Sequence, residues 1–267
     1  MLVIAEVGDR GAGVATEEPV SRTGQVAADL RAAISRGDYP RGSQLPSEDD
    51  LARRYDVARS VVNTALRELR AEGLVRAERG RGTVVAEIPT ITRHAMARYT
   101  RAARERAGAR GAFDGEVRSL GMEPRTEVTV STVIPPHKVA ERLQLAADAE
   151  VVARQRKMYA DNVPVQLATS YIPADIAAGT QIAEVDSGPG GIISRFAELG
   201  FAQTRITETV RWRTPTVAER AFLRLDKGQA VAEIWHTGWT AAGRPVELCV
   251  HVVPAWQWRL DYEWRID

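Results

Sequence analysis

Arg59, Ser60, Asn63 and Arg67 share one side of a short helical repeat, and Val62, Ala65, Leu66 and Leu69 share the other. A guanidinium presents paired donors that match O6 and N7 of guanine, and a primary amide matches N6 and N7 of adenine. Taken alone, such a helix is most often a solvated charged face. Here its surroundings add to it. The four polar residues lie toward the start of their helix, and a second short helical pattern abuts them through the tight turn Asp56-Val57. Ser47 is placed to cap that second helix, with Asp50 three residues on as in a capping box. A hydroxyl and free N–H groups at a helix start suit a phosphate. Further on, Arg79-Gly80-Arg81-Gly82 sets two arginines among glycines, whose backbone can come close to a phosphate or a minor groove.

The elements that must hold these residues can be read from periodicity. Val26, Leu30, Ala33 and Ile34 predict a first helix, stopped by Gly37 and Pro40. Leu51, Ala52 and Tyr55 form the inner side of the second. The third is expected over about 59–72, with Gly73 as its C-cap. "LVRAERGRGTVVAE" then reads as strand, turn, strand. Three helices and a two-stranded wing make a winged helix-turn-helix.

The chain has 267 residues, enough for two domains, and its 44% hydrophobic and 27% charged residues are those of a globular protein. Residues 1–20 are Gly-containing and aperiodic, and disorder is expected there. They have no basic segment ahead of an apolar one, so they do not read as a secretory signal. No stretch approaches the ~20 apolar residues of a membrane span, and a cytoplasmic protein is expected. A lone cysteine, Cys249, excludes an internal disulfide framework and a cysteine zinc site. Net charge is +1, but the basic excess lies within residues 21–125 and both ends are net acidic. Residues 89–112 read as a basic linker with some helical character.

From about 113 to 267 the pattern changes. Runs such as "TEVTVSTVI", "EVVARQRKMYA", "VPVQLATSYIP", "TRITETVRWRT", "AVAEIWHTGWT" and "RPVELCVHVVP" are β-like, with helical patterns near 137–147, 188–199 and 215–224. An α+β domain around an antiparallel sheet is expected, with no internal repeat visible. Arg154 and Arg156, two apart on a strand, project from one face and could hold a carboxylate or phosphate; two exposed, ion-paired arginines are the plainer reading. Trp235, Trp239, Trp256 and Trp258 read as core or interface residues. Against an enzyme, the four histidines show no HExxH spacing, and neither a glycine-rich phosphate loop nor a GxSxG elbow occurs. Cys249 and His251 alternate on an apolar strand, which suits core packing better than a catalytic pair. Nothing asks for a metal or a cofactor.

Residues 21–88 closely resemble the winged-helix domain of the GntR family of bacterial transcriptional regulators. The likeness rests on Tyr39-Pro40-x-Gly42, Leu45-Pro46-Ser47-Glu48, Leu51-Ala52, Val57-x-Arg59, Ala65-Leu66-x-x-Leu69, Glu72-Gly73-Leu74 and Gly80-x-Gly82-Thr83. It implies that Arg59, Ser60, Asn63 and Gly80, with the neighbouring wing-tip residues Arg79, Arg81, Gly82 and Thr83, face an operator, and Ser47, Glu48 and Arg67 are expected to join them. The chain departs from the pattern at Ala58, where Ser or Thr would cap the third helix. Asn63 and Asp49 stand where Arg is frequent.

Residues from Phe113 onward resemble the UTRA module of the HutC branch, whose fold is similar to chorismate lyase. "SLGMEP", "ARQRKMYADNVPVQLATSYIP", "ISRFAELG" and "GRPVELCVHVVP" carry the likeness, in that order. It implies an effector site with Arg154 and Arg156 on an anionic group, Glu247 and Gln166 beside them, and Gly191 at a helix start. Ala112 and Gly191-Ile192-Ile193 replace hydroxyl residues used by sugar-phosphate binders, so an anionic, partly apolar ligand is expected rather than a hexosamine phosphate. The expectation is a homodimeric repressor on a near-palindromic duplex operator. Its first rival is a constitutive DNA-binding or plasmid-control protein whose C-terminal domain only dimerises.

Overall fold

Apolar residues at helical spacing close the N-terminal unit. In the computed structural model, which describes residues 21–78, 80–100 and 111–264, helix α1 (Arg22–Arg36) starts at Ser21. Ser21 Oγ accepts from the Gly24 N–H at 3.1 Å. Helices α2 (Glu48–Tyr55) and α3 (Arg59–Ala71) follow, and strands β1 (Val75–Glu78) and β2 (Gly82–Val85) form the wing. Val26, Leu30, Leu51, Val62, Leu66, Leu69 and Val85 meet in one core. Asp56, at φ 50°, makes the turn between α2 and α3. The N-terminal tail lies outside the described residues.

The second unit is built on a six-stranded sheet in the order β4-β5-β6-β9-β8-β7, all neighbours antiparallel. Its strands are β4 (Pro124–Val133), β5 (Val151–Ala160), β6 (Val163–Pro173), β7 (Arg205–Arg213), β8 (Val231–Trp239) and β9 (Pro245–Pro254). Helices α4 (Ala112–Arg118) and α6 (Gly191–Glu198) pack on one face, and α5 (His137–Arg142) and α7 (Val217–Phe222) on the other.

This order corrects the expectation that the chain holds no repeat. The series helix, strand, helix, strand, strand runs twice, as α4-β4-α5-β5-β6 and α6-β7-α7-β8-β9, and the halves join at β6 and β9. Leu-Gly closes the first helix of each half, with Gly121 at φ 74° and Gly200 at φ 82°. Gln144 and Arg224, both left-handed, sit at matching places after α5 and α7.

The linker reading also needs correction. Ile91–His94 form strand β3, which runs parallel to β10 (Trp258–Asp261) in a separate two-stranded sheet. Ile88, Ile91 and Trp258 join the core beneath α4, so this basic segment is strapped into the second unit rather than left in solvent. A 3-10 turn follows at Ala97–Tyr99. Residues 101–110 of the expected linker lie outside the described residues.

Candidate functional site

The first candidate surface is the start of α3. Ser47 caps α2, its Oγ accepting from the Asp50 N–H at 3.2 Å and donating to Asp50 Oδ2 at 2.5 Å. The Asp50 carboxylate therefore answers the serine hydroxyl rather than the serine backbone, a variation on the capping box. As expected, Ala58 gives α3 no side-chain cap. Arg59 has a side chain 65% exposed, and its Nε donates to Glu48 Oε2 at 3.0 Å. Asn63 Nδ2 donates to Glu48 Oε1 at 3.1 Å. Ser60 and Arg67 are exposed on the same side, Arg67 donating to Thr64 Oγ1 at 2.9 Å.

The wing is partly as expected. Gly80, Arg81 and Gly82 are exposed, and Arg81 is folded back onto Glu78 and the Gly42 carbonyl. Thr83 is a correction: it is buried, and its hydroxyl accepts from Arg70 at 3.1 Å, so its side chain serves the head's interior. Arg79 lies outside the described residues.

The second candidate is a cavity of about 520 Å³ on the face of the sheet covered by α4 and α6. Arg154, Arg156, Gln166, Gly191 and Glu247 all line it. The two arginines do share one face, but they are employed differently. Arg154 donates to the carbonyls of Ile182 (2.6 Å), Glu184 and Val185 (3.2 Å), and so ties down the loop leading to Asp186. Burial, together with the charge of Arg156, pulls its pKa down to about 10. Arg156 donates to Ser170 Oγ at 2.5 Å and to Cys249 Sγ at 3.1 Å, while its buried Nε has no hydrogen-bond partner among the described residues. Glu247 accepts from Ser170 (2.6 Å) and from Gln203 (3.1 Å). Gln166 lies 3.1 Å from both Met158 Sδ and His251 Nδ1. Burial holds His251 neutral, well below the ordinary histidine range, helped by the charges of Arg93 and Arg156. The Cys249 thiol is pushed up by burial and lies 3.9 Å from His251, an arrangement with no activated nucleophile in it.

Periodicity did not find the cavity's third wall. Arg98 and Tyr99, from the strap that follows β3, line it beside His236 of β8. The Tyr99 ring stacks on His236 with centroids 4.7 Å apart. Its hydroxyl accepts from Arg93 at 2.7 Å and lies 2.9 Å from both Glu208 Oε1 and His236 Nδ1. Arg93 and Glu208 form a buried ion pair. Burial works against the Glu208 carboxylate, but hydrogen bonding to His236 and the charge of Arg93 bring it down to about 2. Nearby, burial pushes Glu116 up to about 8 even though Arg98 lies 3.4 Å away. Tyr99 and Arg98 stand in an irregular basic stretch, and no spacing rule marks them.

Comparison with known proteins agrees with both halves of this geometry. Residues 22–85 match the description of bacterial regulatory proteins of the gntR family, and residues 119–257 match the UTRA domain. The chain belongs to the GntR family, in its UTRA-bearing branch. It is 33% identical over 238 residues to an HTH-type transcriptional regulator of Streptomyces coelicolor, a match covering 86% of this chain and 88% of that one. It is 30% identical over 185 residues to the HTH-type transcriptional repressor PhnF of Mycolicibacterium smegmatis, covering 69% of each. A crystal structure of a GntR-family transcriptional regulator is similar at TM-score 0.58 and 26% identity, covering 92% of this chain and 98% of that chain. This GntR/UTRA chain is therefore a transcriptional regulator with a DNA-binding head and a ligand-binding domain. Among its described residues, no helix is long and apolar enough to cross a membrane.

Proposed function

We propose that the chain is a cytoplasmic repressor that binds a near-palindromic operator as a homodimer and is controlled by a small anionic effector. One observation carries the effector part. Arg98 and Tyr99, which enter the ligand cavity, belong to the strap that leads out of the DNA-binding head. A ligand that displaces or clamps those side chains distinguishes two positions of the strap, which is the condition for coupling two sites. The printed name of PhnF, a repressor, supports the sign of regulation.

On the operator, Arg59 and Asn63 read base edges, with Ser60 and Arg67 alongside. The start of α2 at Ser47 and Glu48 sits against the backbone, and the wing follows through Arg79, Gly80, Arg81 and Gly82. Arg59→Ala is expected to weaken operator binding by about 1–3 kcal/mol and to relax preference at one base pair. Titration of full-length protein on labelled duplexes measures both. Unchanged affinity and unchanged base preference in that variant would remove Arg59 from the recognition set.

In the cavity, five arginines face three carboxylates, which favours an anion, and Phe113, Met158, Ile192 and Ile193 give it an apolar side. Arg156 meets the anionic group, Glu247, Gln166 and the Gly191 backbone surround it, and Arg154 shapes the loop. A ligand at one hundred times its Kd stabilises by about 2.7 kcal/mol, a rise visible in thermal unfolding. Small apolar carboxylates and phosphates are expected to give that rise in the parent and not in Arg156→Ala. Stabilisation by glucosamine 6-phosphate, abolished in the variant, would contradict the ligand class.

A further inference from the structure

We propose that Glu48 is a positioning residue for operator recognition, its carboxylate joining Arg59 and Asn63 into one fork aimed at neighbouring base pairs. The inference rests on the reading of α3 as the base-reading helix and adds to it how that helix discriminates.

Each oxygen of Glu48 holds a different side chain. Oε2 accepts from Arg59 Nε at 3.0 Å, and Oε1 accepts from Asn63 Nδ2 at 3.1 Å. The Glu48 side chain is only 24% exposed, and it stands at the first position of α2, whose start is pinned by the Ser47 cap. The fork is thus anchored to a different helix from the one that carries its tines. Arg59 alone would be a long, freely rotating side chain that gives up rotamer freedom on binding. Tied at Nε, and with Asp49 3.5 Å from Nη1, it offers its terminal nitrogens to a guanine, while Asn63 keeps its carbonyl oxygen, and one amide hydrogen, for an adenine.

The spacing sets what the fork reads. Residues 59 and 63 are one helical turn apart, about 6 Å along the axis, close to two base steps of roughly 3.4 Å. The operator half-site then contains a guanine and an adenine within about two base pairs of each other. Glu48 also places a negative charge on the side that approaches a polyanion. Removing that charge eases binding to any sequence, whereas loosening the fork weakens only the correct one. The two consequences have opposite sign, and neither simple destabilisation nor loss of a phosphate contact produces both.

The test is selection of binding sites from randomised duplexes by the full chain, followed by titration on the selected site and on unrelated DNA. Glu48→Gln is expected to raise affinity for unrelated DNA and to lower discrimination at the guanine and adenine positions about five- to tenfold. Glu48→Asp keeps the charge but is too short to hold both partners. It is expected to lose discrimination without the general rise. Asp49→Asn removes an equal charge from a carboxylate whose one ion pair among the described residues is with Arg59, at 3.5 Å, and should retain the adenine preference. Thermal unfolding of each variant checks that it is folded. Glu48→Gln with parental discrimination at both positions overturns the proposal. If Arg59→Ala and Asn63→Ala also leave the selected sequence unchanged, the base-reading role of α3 fails as well; if they erase it, only the role of Glu48 fails.

Discussion

Glu208→Ala is expected to remove about 3–5 kcal/mol of stability, because it leaves the Arg93 guanidinium buried without its counter-charge. Arg93 is 1% exposed, and its Nη2 donates both to Glu208 and to the Tyr99 hydroxyl, which are themselves 2.9 Å apart. Loss of one partner is far more damaging than loss of both. Replacing Arg93 with Met and Glu208 with Leu together is expected to recover most of the loss, since an apolar pair of similar volume needs no desolvation of charge. Chemical denaturation of the two variants gives the comparison. The ion pair also predicts acid sensitivity. The Glu208 carboxyl, held at about 2 when folded, titrates near 4.5 when free. Its contribution is therefore complete above pH 4.5 and is lost as pH falls toward 2, and Glu208→Gln should flatten stability across that window. A loss below 1 kcal/mol in Glu208→Ala would mean that solvent reaches the pair.

The second large effect is expected at Gly73. It follows α3 at φ 72°, and a Cβ built there would lie 1.8 Å from Cδ2 and Cε3 of Trp256. Trp256 belongs to the turn after β9, so at this glycine the head packs against the ligand-binding domain. Beside it, Gln229 Nε2 donates at 2.9 Å to the Arg70 carbonyl, which also accepts from the Gly73 N–H at 3.0 Å, so the end of α3 is tied to the second domain. Gly73→Ala meets a left-handed backbone penalty of roughly 1–2 kcal/mol and an overpacking penalty of roughly 1–3 kcal/mol. The single variant is expected to lose about 2–5 kcal/mol from these two sources. In Gly73→Ala with Trp256→Ala the overpacking part disappears, so the double variant should lose at least 1 kcal/mol less than the two single losses added together. Additive losses would show that the head does not rest on this ring.

How far the sequence reveals this molecule differs sharply between its parts. In the head, local rules suffice. Val62, Leu66 and Leu69 at helical spacing, Ser47 as a cap and Gly73 after α3 all act within a few residues, and the structure has each of them as read. The strands of the second domain are legible as runs rich in Val, Ile, Thr and aromatic residues; the central strands β8 and β9, covered on both faces, are buried almost throughout and do not alternate. What could not be read is what depends on distant parts of the chain. The internal repeat is hidden because few residues carry it, among them Leu-Gly after the first helix of each half and Leu143-x-Leu145 against Leu223-x-Leu225. The tetrapeptide Val-Ala-Glu-Arg occurs at 139–142 and 217–220, but it starts two residues into α5 and at the first residue of α7. It therefore points to the wrong register. Basic residues at 93 and 98 look solvated in sequence, because burial of an arginine depends on a partner more than a hundred residues away, as Glu208 is from Arg93. The role of Arg154 was half legible. Its strand position showed which face it takes, but not that the Ile182–Val185 carbonyls occupy its donors.

Guanine N7 protection is the most direct test of the central claim that the exposed start of α3 enters a major groove. Full-length protein is bound to its selected operator, and methylation at guanine N7 is mapped along both strands. The account predicts protected guanines in two half-sites about one helical turn, 10–10.5 base pairs, apart, with protection lost in Arg59→Ala while phosphate contacts persist. Binding that leaves every guanine N7 as reactive as in free DNA would contradict it.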